Sequence, residues 1–354
     1  MPALFDPIQI GEIGAANRIA MAPMTRSRAD VMGVPSPHAA EYYGQRASGG
    51  LLITEGTQPS FGGQGYARTP GIHTADQIAA WKDVTSAVRE AGGRIVCQVM
   101  HVGRIAHPHN RQVDDDPVAP SAIAPDAQMY TDEAGMQPIP TPRALETSEI
   151  PAVIEEYAQA ARNAIEAGFD GVELHSASGY LPNQFLASNC NHRTDAYGGD
   201  AINRIRFTVE ALEAMADAIG SGRVGIKLSP GMGFNDCLDA DPVATFSALL
   251  SELNGLDLAY LHMGRFTSDF DVHGTFRPLY EWVYLAGGGL SDAAQAQELL
   301  DDGLADMTVW GGRYLANPDL PDRLKRGGPF NDPNPDTFYT PGPEGYTDYP
   351  TLSA

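Results

Sequence analysis

Cysteine is scarce in this chain, and the patterns that put cysteine to use are missing. Cys97, Cys190 and Cys237 stand far apart and no CxxC pair occurs. That excludes a disulfide framework and a cysteine-based zinc ribbon, and it fits a reducing compartment. No HExxH pair and no carboxylate cluster at ligand spacing is present, so no metal centre is expected. His107 and His109 flank a proline and read as solvated loop residues. A G-x-S-x-G nucleophile elbow is missing too. So is a Rossmann fingerprint: Gly231-Met232-Gly233 lacks a third glycine in register, and Gly63-Gln64-Gly65 is not a strand-to-helix turn.

Positive charge is short as well. Lys and Arg number 23 against 45 Asp and Glu, a formal net charge of −22. Such a chain repels phosphate backbones and anionic lipid, so neither nucleic acid nor a membrane is an expected partner. Most of the excess acid reads as solvated surface. No apolar run approaches the ~20 residues of a membrane span. The opening stretch, Met1-Pro2-Ala3-Leu4-Phe5-Asp6, lacks the basic region and apolar run of a signal peptide. A cytoplasmic protein is expected.

What the chain does have is alternation. With 354 residues and 43% hydrophobic content it can bury a sizeable core. Short apolar runs alternate with amphipathic segments, the mark of a parallel sheet with crossover helices. Eight runs read as strands: Arg18–Ala22, Leu51–Thr54, Arg94–Val99, Gly171–His175, Val224–Leu228, Ala259–Met263, Trp282–Gly287 and Met307–Trp310. Eight is the number that closes a (β/α)8 TIM barrel, and that α/β class is expected, as one domain over residues 1–354.

Between the strands the helix signals are explicit. Thr74 and Gln77 form a capping-box pair, and Gly92-Gly93 ends that helix. Apolar residues from Ile150 to Ile165 repeat at helical spacing, with Ser148 as the expected N-cap and Gly168 as the stop. A further helix is expected from about Ala201 to Ala218. One connection is abnormally long. Residues 104–147 leave the carboxyl end of the third strand and are rich in proline and small residues. Barrel active sites lie at that end, so this excursion reads as a lid over the site. The tail after Phe330, rich in Pro, Gly and Tyr, reads as an extended wrap.

Polar residues gather where the strands end: Thr25, Glu55-Gly56, Gln98, His175 and Lys227. A barrel brings those ends to one mouth. Gly287-Gly288-Gly289 follows the seventh strand and Gly311-Gly312-Arg313 the eighth, the two positions where barrels commonly hold a phosphate on backbone N–H groups. Just past the fourth strand stand three hydrogen-bonding groups, His175, Ser178 and Tyr180.

These residues fall in stretches that resemble one family. HSASGYLPNQFL, NHRTDAYGG and NRIRF, spread over His175–Phe207, are similar to the signature of the old yellow enzyme family. So are RIAMAPMTRSRA (Arg18–Ala29), ITEGT (Ile53–Thr57), GYARTPGI (Gly65–Ile72) and HVGRIAHP (His101–Pro108). ANPDL (Ala316–Leu320) and FYTPGPEGYTDYP (Phe338–Pro350) complete the set, in family order from end to end. Thr25, where another branch has cysteine, places the chain nearer the classical branch.

The resemblance implies a non-covalently bound FMN at the barrel mouth, reduced by NADPH or NADH and reoxidised by a small activated alkene in ping-pong order. Pro23, Met24 and Thr25 are expected to line the flavin ring, with Thr25 near O4. Gly56 and Gln98 are expected on the ring and its pyrimidine edge, and the two glycine clusters with Arg313 on the phosphate. Lys227 matches a basic residue near flavin N1, where a unit charge ~4 Å away contributes up to ~4 kcal/mol at an effective dielectric of 20. His175 and Ser178 are expected to polarise the carbonyl or nitro oxygen of the substrate. Tyr180 is expected to protonate the α-carbon after hydride reaches the β-carbon, with Tyr66 and Tyr339 covering the pocket. Nitro compounds, nitrate esters or quinones as acceptors, or flavin binding with little turnover, remain as alternatives; the assembly is a monomer or homodimer.

Three departures from the family pattern carry expectations of their own. Ser178 stands where Asn or His is usual, and its shorter reach predicts weaker anchoring of the carbonyl. Met100 replaces a frequent tryptophan and widens the pocket. Arg313 is displaced by one position after the eighth strand, away from the usual phosphate contact.

Overall fold

Along each apolar run the side chains alternate between two environments, and that alternation builds the molecule. The computed structural model describes residues 3–265 and 270–352. Its eight barrel strands are β1 (Ile19–Met21), β2 (Leu51–Ile53), β3 (Ile95–Val99), β4 (Gly171–His175), β5 (Val224–Leu228), β6 (Tyr260–Gly264), β7 (Tyr284–Gly287) and β8 (Met307–Trp310). Each pairs in parallel with the next, and β8 returns to β1, closing the barrel. Crossovers run through α1 (Ala39–Gly44), α2 (Ala75–Glu90), α3 (Ile150–Glu166), α4 (Leu181–Leu186), α5 (Ala201–Ile219), α6 (Pro242–Leu253), α7 (Val272–Phe276) and α8 (Ala293–Asp301).

All eight strands lie where the sequence places them, with ends moved by one or two residues. The largest shift is at β7, which starts at Tyr284. Trp282 lies outside the ladder, and its indole N–H donates to the Asn254 carbonyl at 3.2 Å.

Outward side chains such as Met21, Leu52, Val99, Leu174, Ile226 and Met263 pack with the helices into one core. Inward side chains at the amino end, including Ala20, Leu51, Val96, Tyr260, Leu285 and Met307, form a second apolar cluster. An antiparallel hairpin, Ile8–Ile10 with Ile13–Ala15, closes that end by adding Ile10, Ile13 and Ala15. Each fully buried aliphatic side chain of this kind contributes about 1.5–3 kcal/mol. One layer higher, the inward positions turn polar: Gln98, Glu173, His175, Lys227 and His262 are all buried. The barrel is thus greasy at its floor and polar beneath its mouth.

The helix ends follow their caps. The Thr74–Gln77 capping box forms as expected. Asp200 accepts the Asn203 N–H at 2.9 Å and starts α5. Ser148 is not the N-cap of α3. Glu149 takes that place without a side-chain cap, its backbone already helical at φ −86° and ψ −25°. The chain enters α3 through a turn, so Ser148 lies one residue too early. Gly168, at φ +88°, follows the end of α3 in a conformation that favours glycine.

The excursion after β3 is more ordered than its composition suggests. It holds an antiparallel hairpin, Gln128–Thr131 with Gly135–Pro138, and a short parallel pair, Val118–Ala119 with Arg143–Ala144. The tail wraps back to the mouth. Arg26 donates to the Phe338 and Gly345 carbonyls, and Arg28 to those of Thr337, Gly342 and Glu344. Tyr346 stacks on Tyr42 with ring centroids 4.1 Å apart. No helix among the described residues is long and apolar enough to cross a membrane.

Candidate active site

The polar layer opens upward into three joined cavities. The central one, about 360 Å³, is lined by Pro23, Met24, Thr25, Gln98, Met100, His175, Ser178, Tyr180, Lys227 and Tyr339 among others. Lys227 and Gly312 connect it to a second cavity of about 490 Å³. Gly287, Gly288, Gly289, Gly311, Gly312 and Arg313 surround that second space. On the solvent side, Thr25, Tyr180 and Tyr339 connect the central cavity to an outer vestibule of about 770 Å³. The vestibule is lined by Tyr66 and by Met129, Tyr130 and Met136 from the excursion hairpin.

Glu55, whose carboxylate accepts the Arg26 N–H at 3.0 Å, lines none of the three, and neither does Gly56. Gly56 lies behind Met100, where an added Cβ would fall 2.5 Å from the Met100 thioether sulfur. Ser178 lines the central cavity, but its hydroxyl points at the Met232 sulfur, 3.8 Å away. Arg313 borders the glycine-walled space, with its guanidinium over the Phe330 ring at 4.8 Å.

Local backbone geometry fixes the turn after β4. Ser178 (φ +58°) and Gly179 (φ +78°) are both left-handed. The Ser178 N–H donates to the Ser229 hydroxyl at 2.9 Å and the Gly179 N–H to Asn183 Oδ1 at 2.8 Å. Glycine is required at 179, since a Cβ there would meet the Phe234 carbonyl oxygen at 2.8 Å. The turn folds Tyr180 back on His175, edge to face, with centroids 4.7 Å apart. Tyr180 donates its hydroxyl proton to Tyr66 Oη at 3.2 Å. Burial and the neighbouring Tyr66 push the Tyr180 phenol well above its ordinary pKa, so it stays protonated.

His175 has a defined tautomer. The Ala177 backbone N–H donates to His175 Nδ1 at 3.3 Å, which makes Nε2 the protonated nitrogen. Burial, reinforced by the Lys227 charge, drives the imidazole pKa well below 6.5, so the ring is neutral. A neutral donor therefore faces a cavity beside a protonated phenol.

Sequence reasoning missed Glu173 and His262. Gln98 Nε2 donates to Glu173 Oε1 at 2.7 Å, and His262 Nδ1 meets Glu173 Oε2 at 3.0 Å. Both are inward positions of their strands, and a charged residue amid an apolar strand was the signal available. Also missed were Met232 and Phe234, which line the central cavity, and Arg265, which lines the glycine-walled one.

The donor set fits a flavin mononucleotide. Gly289 has φ +77° and an added Cβ there would meet nothing within 4 Å, while a Cβ at Gly311 would reach only the Met24 sulfur and Ala22 Cβ at 3.9 and 4.0 Å. Those bare backbones leave the room a phosphate needs. Lys227 and Gly312 then mark the passage into a cavity where apolar Met24 and Leu315 stand beside Gln98 and other hydrogen-bonding groups.

A closed parallel barrel with a glycine-walled cavity opening into one that holds a neutral imidazole and a phenol suits a cofactor-dependent oxidoreductase. The family described as NADH:flavin oxidoreductase / NADH oxidase matches residues 3–331. A Leishmania infantum protein named as a probable flavin mononucleotide-dependent alkene reductase is 42% identical, covering 99% of this chain and 97% of its own. The structure of morphinone reductase in complex with tetrahydroNAD superposes with a TM-score of 0.94 at 44% identity, over 100% of this chain and 98% of the other. The old yellow enzyme homologue from Zymomonas mobilis gives 0.96 at 39% identity, over 99% and 100%. The chain belongs to the NADH:flavin oxidoreductase / NADH oxidase family, the family of old yellow enzyme.

Proposed function

We propose that the protein is an FMN-dependent ene-reductase that uses a nicotinamide to reduce activated alkenes. Family membership and the named relatives support the class; the site supports the chemistry. The glycines after β7 and β8 would hold the phosphate, and Pro23, Met24, Thr25, Gln98 and Lys227 the ring. Bound there, FMN would supply the hydride chemistry that couples oxidation of NADH or NADPH to reduction at the β-carbon of an α,β-unsaturated carbonyl or nitro compound.

The chain's own residues then have distinct work. His175 donates Nε2–H to the carbonyl or nitro oxygen, where negative charge grows in the transition state. A neutral ring suits that role, because it adds hydrogen-bond stabilisation without placing a second cation beside Lys227. Tyr180 delivers its phenolic proton to the α-carbon. Its hydroxyl is already aligned toward Tyr66, which can hold a proton network open to the vestibule. Met100 shapes one side of the pocket with a flexible thioether. Residues 1–354 act as one catalytic unit in this reading, with 104–147 forming a lid over the vestibule.

The observation that carries the reading is the pairing of His175 and Tyr180 on one cavity wall, 4.7 Å apart and both held in their protonated-donor forms at neutral pH. The test is anaerobic. The purified protein should be yellow, bleach with NADH or NADPH, and recover its oxidised spectrum rapidly on addition of an enone. A folded protein that stays colourless with added FMN, or whose reduced flavin responds to oxygen and to no alkene, overturns it.

A further inference from the structure

The polar layer beneath the cavity contains an acid to which the reaction above gives no part. Glu173 is 0% exposed, in mid-strand, with apolar Val172 and Leu174 on either side pointing outward. Strand register places Glu173 opposite Gln98, His175 opposite Lys227, and Lys227 opposite His262. Four of these residues make one contact set: the Gln98 amide nitrogen and His262 Nδ1 each bond one Glu173 oxygen, and Lys227 acts on the carboxylate through its charge.

We propose that Glu173 is a positioning residue: its carboxylate is the fixed counter-charge of Lys227 and the acceptor that turns the Gln98 amide nitrogen inward. Two consequences follow for a flavin in the cavity, on the reading that FMN binds there. With Nε2 committed to Glu173, the Gln98 amide oxygen is the acceptor left for a ring N–H. With Glu173 beneath it, Lys227 stays cationic and opposes the negative charge that reduction adds to the ring.

The charges around the pair agree with this. Burial works against ionised Glu173, but His262, Lys227 and Gln98 outweigh it and hold the carboxyl below its usual range. Burial lowers Lys227, and Glu173 is the group that opposes the shift. Burial also lowers His262, more than Glu173 raises it, so that ring is neutral and Lys227 is the balancing cation. The other titratable groups facing the pair are His175, neutral, and Tyr260, whose burial and nearness to Glu173 keep it protonated. Arg265 and Arg313 share the cavity that Lys227 borders on the phosphate side.

The test is the midpoint potential of the bound FMN as a function of pH, with FMN affinity measured alongside. In the unaltered protein the potential should show no break from Lys227 titration between about pH 6 and pH 9. Glu173→Gln should keep FMN, and its potential should move to more negative values, increasingly so as pH rises, because Lys227 loses its proton. Adding Lys227→Met to that variant should change little further. Glu173→Asp, which keeps the charge, should stay near the parent. A potential that is unchanged or more positive in Glu173→Gln overturns the pairing. So does a break below about pH 8 in the unaltered protein, a measurement that needs no variant to fold. An unaltered protein that takes up no FMN overturns the flavin reading, and this proposal with it.

Discussion

His175 Nδ1 accepts the backbone N–H of Ala177, two residues on, at 3.3 Å. A residue's own turn therefore sets which nitrogen of the ring carries the proton. Because burial holds the imidazole pKa well below 6.5, the ring gains a second proton only in acid far from neutrality. Tyr180 loses its proton only well above pH 10. The two groups run in opposite directions: the neutral ring of His175 is lost only as pH falls and the protonated phenol of Tyr180 only as pH rises, and neither changes near neutrality. The rate of alkene reduction by pre-reduced enzyme should be flat from about pH 7 to pH 9. A bell with limbs inside that window would remove one of the two from the assignment.

Tyr180→Phe should separate the two half-reactions. In the proposed reaction the phenol protonates the alkene and has no part in hydride delivery from the nicotinamide. Stopped-flow traces should show flavin bleaching by NADH within about threefold of the parent, while alkene reduction falls roughly 10²–10⁴-fold, the usual size of a general-acid contribution. Equal losses in both halves would mean that the variant has disturbed the cavity and not the proton.

How much of this was legible beforehand depends on what each residue answers to. The eight strands answer to local pattern, so they were readable to within a residue or two. His175 and Lys227 were readable for the same reason, as polar groups at strand ends. Glu173 was not, because its meaning lies in partners 75 and 89 residues away, Gln98 and His262. Ser148 and the hairpin inside residues 104–147 failed for a related reason. A helix entry and an excursion packed over the mouth are decided by tertiary contacts, which composition does not record. The position of the Arg313 guanidinium, on Phe330, likewise depends on where the tail returns.

Ser178 occupies a left-handed backbone position, φ +58°, which asparagine adopts more readily than most residues. Its hydroxyl faces the Met232 sulfur, a weak acceptor, 3.8 Å away. Ser178→Ala should therefore change kcat/KM for an enone by less than about threefold. Ser178→Asn should fit the same turn and extend an amide donor into the cavity, lowering the Kd of a phenolic inhibitor by roughly tenfold, the value of one added hydrogen bond to a charged oxygen. Titration of the flavin absorbance with p-hydroxybenzaldehyde measures it. A large loss in Ser178→Ala would show that serine already supplies the contact.

The vestibule should favour NADH over NADPH. Among the described residues that line it, the acids Asp132 and Asp336 outnumber the cation Arg68. Arg68 is also engaged: it pairs with Asp132 and donates to the Ser27 and Tyr339 carbonyls at 3.0 and 3.1 Å. A 2′-phosphate leaving the cavity this way meets net negative charge. The ratio of kcat/KM for NADH over NADPH should exceed about five, and Asp132→Asn should bring it toward unity, an effect of about 1 kcal/mol for one partly exposed charge. The ratio should also shrink with added salt. A preference for NADPH would place the ribose on another path.

Two arginines border the glycine-walled cavity, and their positions are not equivalent. The Arg313 guanidinium is taken up by the face of Phe330 at 4.8 Å. Arg265 is anchored at its backbone, where its N–H donates to the Gly287 carbonyl at 2.9 Å, and its own carbonyl sits where a Cβ on Gly288 would fall. That close approach requires glycine at 288 and brings the chain at Arg265 against the glycine cluster that walls the cavity. Arg265 is therefore the cation expected to meet a dianion there, in place of Arg313. Arg265→Gln should raise the Kd for FMN roughly 10–100-fold, the range for losing a charged hydrogen bond, and Arg313→Gln by several-fold at most. Flavin fluorescence on dilution reads both constants directly, without reference to turnover. The reverse order of effects would mean that Arg313 leaves Phe330 when the phosphate binds, and that the ring is its resting place.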